Sequence, residues 1–222
     1  MITLHRRRPT LDGDNACTET GLSAAACDTQ RVIPANANAS ATTKVYLTDT
    51  WARPDMVFAH KITTADKTSP TGSPIVDTSS TGGNATLCYT TLGAMTADLH
   101  ASFAGVAAGS IKFAGVIPVG DAFQSAVDQK LVKTGGFYDA NGVFVPGQPG
   151  EVMNLWWDDY LHASKYGSSL DALVQFGMVT GLDPLSLGAG EISASDLGIA
   201  GSDALVLQRI ASAQLGFATS VR

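Results

Sequence analysis

Residues 111–121 read IKFAGVIPVGD, and this stretch decides the fold. Residues 111–117 form a near-continuous apolar run, which is typical of a strand in a parallel sheet that is covered on both faces. Pro118 and Gly120 then turn the chain, and we expect a helix from about Ala122 to Val132. The stretch therefore predicts a strand that leads closely into a helix, which is the repeating unit of α/β proteins.

Strands and helices alternate on both sides of this stretch. Upstream, residues 44–48 read KVYLT and predict a short buried strand. Between about 89 and 107, apolar residues recur at steps of three and four, which predicts a helix that packs one face on a sheet. Helices are also predicted from about 163 to 180, ending at Gly181, and from 203 to 217. The alternation favours a layered α/β structure with a parallel sheet.

The sharpest chemical pattern is DYLH at residues 159–162, at the start of a predicted helix. A carboxylate such as Asp159 can accept a hydrogen bond from one imidazole nitrogen of His162 and so fix its tautomer. The other nitrogen is then able to take a proton from a hydroxyl nucleophile. The spacing alone also fits an Asp159 that caps the helix beside a surface His162.

Further segments place this pattern in a context. They read VYLTDTWAR (45–53), VIPVGDAF (116–123), DYLHASKYG (159–167) and GMVTG (177–181). Together they resemble the SGNH (GDSL-like) hydrolases over about residues 44 to 215. The resemblance implies a three-layer α/β/α sandwich over residues 44–222, preceded by an irregular segment, residues 1–43. It also implies that Asp159 is the orienting carboxylate and His162 the general base.

The chain departs from the family pattern at the nucleophile. That family has its serine in a Gly-Asp-Ser or Gly-Asn-Ser motif after the first strand, and takes further oxyanion donors from a glycine and an asparagine. None of these is present, and Gly13-Asp14-Asn15 has asparagine where serine is required. We therefore expect the chain to begin inside the domain. A substitute elbow is weakly suggested by Ser23, in GLSAA at residues 21–25, although the start of an Ala-rich helix explains that stretch more simply.

Two acidic turns leave a metal alternative open. Residues 12–15 (DGDN) and 139–142 (DANG) each cluster oxygen ligands in a turn, as calcium loops do. Neither completes an EF-hand pattern, and both are explained more simply as turns. We therefore expect no cofactor, with calcium as the alternative.

Composition limits the classes of partner. The chain has 222 residues, of which 45% are hydrophobic and 15% charged, and a net charge of −6. These values predict a globular chain, and they argue against nucleic acid as a partner. Residues 9–14, after the basic cluster at 6–8, lack the apolar stretch of a signal peptide, and no run of about 18 apolar residues predicts a membrane span. The cysteines fix no compartment: they are either free thiols or include a Cys17–Cys27 bridge.

The sequence thus favours a hydrolase of carboxylic esters or lactones, such as short-chain esters or acyl-homoserine lactones, that uses Asp159 and His162. A calcium-dependent lactone hydrolase is a variant of this hypothesis. The alternative from a different class is a catalytically inactive SGNH domain that acts as a binding or self-associating module, with a homo-oligomer as its expected state.

Overall fold

The structure is a computed structural model that describes residues 43–54, 89, 91–109, 113–132, 153–157 and 162–217. The predictions for the irregular segment 1–43, except its last residue, lie outside the described residues, as do those for Cys17 and Cys27, for the turns at 12–15 and 139–142, for Ser23 and for Asp159.

The described chain alternates strands and helices in its first half, and the elements that follow are all helical. Its elements are β1 (Val45–Thr48), α1 (Leu92–Ala108), β2 (Phe113–Ile117), α2 (Val119–Asp128), α3 (Lys165–Thr180), a 3₁₀ helix (Pro184–Leu187), α4 (Ile192–Asp196) and α5 (Gly201–Gln214). The predicted strands and helices are confirmed, with ends that shift by a few residues. The 3₁₀ helix and α4 were not predicted, because each is too short to show a helical repeat.

The two strands β1 and β2 pair in parallel, as the sequence predicts. Leu47 lies opposite Val116 and Thr48 opposite Ile117, and the register is irregular between Val45 and Tyr46. The pairing continues one residue beyond the strand, where the Asp49 amide donates to the Ile117 carbonyl at 3.1 Å. The carboxyl ends of β1 and β2 therefore lie side by side.

Local side chains fix where the long helices begin and end. The Thr91 hydroxyl accepts a hydrogen bond from the Ala94 amide at the start of α1. Ser164 does the same at the start of α3, where it accepts from the amides of Tyr166 and Gly167. Gly181 ends α3 with a φ of 71°, the left-handed conformation that favours glycine, so the predicted stop is confirmed.

Helix α2 lies at the centre of the packing, in contact with α1, α3 and α5. The predicted apolar faces of α1 and α3 are buried, as are Phe123 and Ala126 of α2. The main fully buried side chains are Leu47, Met95, Ile117, Val119, Phe123, Leu155, Trp156, Leu170, Leu207 and Ile210. Burial of these side chains supplies the main driving force for folding.

Two details differ from the sequence prediction. In β2 only Ile117 is fully buried and Ala114 is exposed, so the complete cover that the apolar run predicts is not seen in the described residues. Part of the reason for this incomplete burial is that, among the described residues, β1 is the only strand that pairs along the length of β2. The predicted apolar face of α5, through Leu205, Ile210 and Leu215, is buried at Ile210, but Leu205 and Leu215 are only half buried, because the helix turns Leu207 towards the core instead.

Among the described residues, no helix combines the length and the apolar character needed to cross a membrane.

Gly167 provides a test of the packing between α3 and the segment before it. An added Cβ would overlap the Leu155 carbonyl oxygen and press on Phe123. We expect Gly167→Ala to lower the free energy of unfolding by about 1–3 kcal/mol, the usual range for overpacking. The measurement is urea denaturation.

The matched control is Gly105→Ala, because an added Cβ at this exposed position in α1 meets no atom within 4 Å. It should raise the free energy of unfolding by roughly 0.5–1 kcal/mol, since alanine is the better helix former. Equal effects from both variants would contradict the packing described here.

Candidate functional site

A polar cluster lies at the carboxyl ends of the two parallel strands. It consists of Asp49, directly after β1, His100 on α1, and Asp121 in the first turn of α2. One donor atom from each side chain lies within 4.8 Å of the other two. In open α/β sheets, ligands bind at this edge, so the cluster occupies the place where function is expected.

Asp49 is the buried member of this cluster. Its side chain is only 1% exposed, and its Oδ1 accepts a hydrogen bond from the Gly120 amide at 2.7 Å. Its Oδ2 is also buried and accepts no hydrogen bond from the described residues. One oxygen is thus anchored, while the second lies 3.8 Å from His100 Nδ1.

The contact between Asp49 and Gly120 requires glycine at position 120. An added Cβ there would overlap the Thr50 carbonyl oxygen, since the start of α2 lies directly against the backbone that follows β1. The amides at a helix N-terminus carry partial positive charge and favour a carboxylate. The sequence Pro118-Val119-Gly120 therefore allows α2 to begin against the Asp49 side chain.

Burial decides the protonation of Asp49. The pKa of Asp49 is raised from 3.8 to about 7, mainly by the loss of solvation on burial and to a smaller extent by the nearby charge of Asp121. The hydrogen bond from Gly120 and the proximity of His100 act in the opposite direction but are outweighed. Asp49 therefore exchanges its proton near neutral pH, in contrast to an ordinary surface aspartate.

His100 and Asp121 form the solvent-facing side of the cluster. His100 Nδ1 lies 2.6 Å from Asp121 Oδ2, and the two side chains are 48% and 25% exposed. An ionised carboxylate can only accept, so Nδ1 carries the proton in this hydrogen bond. The arrangement is chemically capable of two things: moving a proton through His100, or binding a cation between the imidazole and the two carboxylates.

The predicted site residue His162 lies in a bend of residues 162–164, here called the His162 turn, whose backbone is held by hydrogen bonds. The Trp157 amide donates to the His162 carbonyl at 2.8 Å, and the Ser164 amide donates to the Leu155 carbonyl at 2.9 Å. His162 is exposed, just ahead of α3. The structure therefore describes one member of the predicted Asp159–His162 pair, and the pairing itself stays a prediction.

Aromatic side chains connect the His162 turn with the segment after Asp49. The buried Trp156 donates from its indole Nε1 to the Ala52 carbonyl at 3.0 Å. Trp51 stacks on Phe123 with ring centroids 4.9 Å apart, and Phe123 meets Trp156 edge to face at 5.8 Å. Trp156 is thus a packing residue, and it holds the turn against the chain that leaves β1.

Asp49, His100 and Asp121 were not predicted as site residues. A signal for the two carboxylates was present, because each follows a predicted parallel strand, and the carboxyl ends of neighbouring parallel strands meet. His100 gave no such signal, since it directly follows Leu99 on a helix that was analysed for its apolar face. No protein-family profile, curated protein or solved structure matches this chain.

The raised pKa of Asp49 predicts how stability depends on pH. The folded pKa lies above the unfolded value, so the folded state holds this proton more tightly. Its stabilising effect is complete below about pH 4 and is lost as the pH rises to about 7. At about 1.4 kcal/mol per pKa unit, the loss amounts to roughly 4 kcal/mol.

The measurement compares urea denaturation of the unaltered chain and Asp49→Asn from pH 4 to pH 8, in the presence of chelator. Asparagine stays neutral throughout, so the variant should gain relative stability as the pH rises. Asp196→Asn, at an exposed position of α4, is the control and should leave the profile unchanged. If the free energy of unfolding changed with pH in the same way in the unaltered chain and in Asp49→Asn, the pKa of Asp49 would be the same in the folded and unfolded chains, and the prediction would be wrong.

Proposed function

We propose that this chain hydrolyses small carboxylic esters or lactones, with His162 as the general base and Asp159 as the carboxylate that orients its imidazole. The resemblance of residues 159–167 to the SGNH hydrolases suggests these roles. The observation that carries the proposal is the position of His162, on an exposed turn fixed to the segment that follows β1.

Two features of this position suit a general base. The backbone hydrogen bonds between residues 155–157 and 162–164 hold the turn in place, so the backbone that carries the imidazole is fixed. The hydrogen bond from Trp156 to the Ala52 carbonyl ties the same turn to the chain just beyond the carboxyl end of β1. A base at this exposed position is accessible to substrate and is supported by the buried Trp156.

The chemistry follows from a neutral imidazole. His162 takes a proton from a hydroxyl group or from water, and the oxygen thus activated attacks the ester carbonyl carbon. The tetrahedral intermediate collapses as the bond to the alkoxy oxygen breaks, and the imidazolium returns its proton to that oxygen. When water is the nucleophile, the products are a carboxylic acid and an alcohol, or one hydroxy acid when the substrate is a lactone. When a hydroxyl group attacks, an acyl ester on that group forms first, and water activated by the same imidazole then hydrolyses it to the same products.

The proposal includes the finer architecture of the family, a three-layer α/β/α sandwich. It is supported by the parallel pairing of β1 and β2, by helix α1 in the connection between them, and by α2 directly after β2. An isolated parallel bridge between Val132 and Met153 leads towards the His162 turn, as a further strand of such a sheet would.

The test is hydrolysis of short p-nitrophenyl esters and of acyl-homoserine lactones by the full chain, with and without chelator. We expect His162→Ala to lower kcat/KM by about 100-fold or more, the usual contribution of general acid–base catalysis. Asp159→Asn should also lower it, because the imidazole loses the carboxylate that orients it.

His5→Ala is the matched control, because it removes an imidazole at a position for which the sequence predicts no catalytic role. Its rate should equal that of the unaltered chain. The proposal fails if His162→Ala is as active as the unaltered chain. A loss of activity in His100→Ala but not in His162→Ala would indicate that the general base belongs to the Asp49 cluster. An unaltered chain that hydrolyses none of the substrates would support the alternative, a binding module.

A further inference from the structure

We propose that Asp49, His100 and Asp121 form a binding site for one divalent transition-metal cation of the zinc type. His162 is not one of these three residues, and the proposal does not depend on the hydrolase proposal. Its three side chains come from the end of β1, from α1 and from the start of α2, so the fold brings together residues that are far apart in the sequence.

The second oxygen of Asp49 points most directly to a cation. Asp49 Oδ2 is buried and accepts no hydrogen bond from the described part of the chain, whereas Oδ1 is anchored by the Gly120 amide. A buried acceptor without a partner is unfavourable. Oδ2 lies 3.8 Å from His100 Nδ1, and a cation bound between these two atoms would satisfy it.

The distances suit a small cation. Zinc binds nitrogen and oxygen ligands at about 2.0–2.2 Å in a tetrahedral arrangement, which places the ligand atoms on the order of 3.4 Å apart. The observed separations are 3.8 Å from His100 Nδ1 to Asp49 Oδ2 and 2.6 Å from His100 Nδ1 to Asp121 Oδ2. His100 and Asp121 are the more exposed pair, so the adjustment falls on the side chains that have room to move. Binding replaces the proton that they share.

The donor set decides the class of metal. One imidazole nitrogen with two carboxylate oxygens suits zinc and related transition metals, whereas calcium and magnesium take six or more oxygen ligands. The hydrogen bond from Gly120 to Asp49 Oδ1 resembles the outer contacts that orient ligating carboxylates. His100 is about half exposed, so a fourth position towards solvent is open to water, as in catalytic rather than structural zinc sites.

The experiment uses the full chain after treatment with chelator and its removal. Zn²⁺ is titrated by isothermal calorimetry, and Co²⁺ is followed by its visible absorption, which reports the ligand set. We expect one Zn²⁺ per chain and much weaker binding of Ca²⁺ and Mg²⁺. His100→Ala and Asp49→Asn should each weaken zinc binding by about tenfold or more, because loss of an outer contact alone has an effect of that size.

The matched control is His162→Ala, which removes an exposed imidazole outside the cluster and should bind Zn²⁺ like the unaltered chain. Asp121→Asn provides a second, partly exposed ligand variant if the buried Asp49→Asn fails to fold. Absence of zinc binding by the folded chain would overturn the proposal. The proposal would also be overturned if His100→Ala and Asp121→Asn bound Zn²⁺ as tightly as the unaltered chain, or if their Co²⁺ spectra were unchanged.

Discussion

The close approach of α2 to the end of β1 is the constraint on which the described structure depends. It is possible because Gly120 has no side chain, so its amide reaches Asp49 Oδ1 while its α-carbon lies against the Thr50 backbone. This contact connects a strand, a turn and a helix that are separated by about seventy residues of sequence. It also buries a carboxylate at a helix N-terminus, where the backbone amides partly compensate its charge.

The same approach organises the aromatic side chains beside the cluster. With α2 held against the turn after β1, Phe123 stacks on Trp51 and meets the edge of Trp156. Trp156 in turn belongs to the segment that carries the His162 turn. The Asp49 cluster and His162 are therefore attached to one packed group of aromatic rings, and a change in that packing would shift both. Such rings bury large areas, so they fix the backbone on either side of them.

The strands and helices were predictable because their signals are local. The apolar run in β2, the repeat of three and four in α1 and the stop at Gly181 each depend on neighbouring residues, and all three appear in the structure. The cluster was not predicted, because it depends on which residues the fold brings together. Asp49 and Asp121 show only that each follows a strand, and nothing in the sequence places His100 beside them. The catalytic roles of Asp159 and His162 stay predictions from the resemblance.

The buried Oδ2 of Asp49 can be stabilised either by a proton or by a metal cation, and the geometry of the cluster distinguishes between these two. A proton on Oδ2 removes the negative charge of Asp49, and the raised pKa of about 7 favours this protonated form below neutral pH. The protonated oxygen is then a donor, yet His100 Nδ1 at 3.8 Å is too distant to accept a hydrogen bond, and Nδ1 already donates to Asp121. A cation at the proposed site would instead contact Asp49, His100 and Asp121 together, and would also offset the second negative charge. The arrangement of donors at the edge of the sheet therefore suits a metal ion better than a proton.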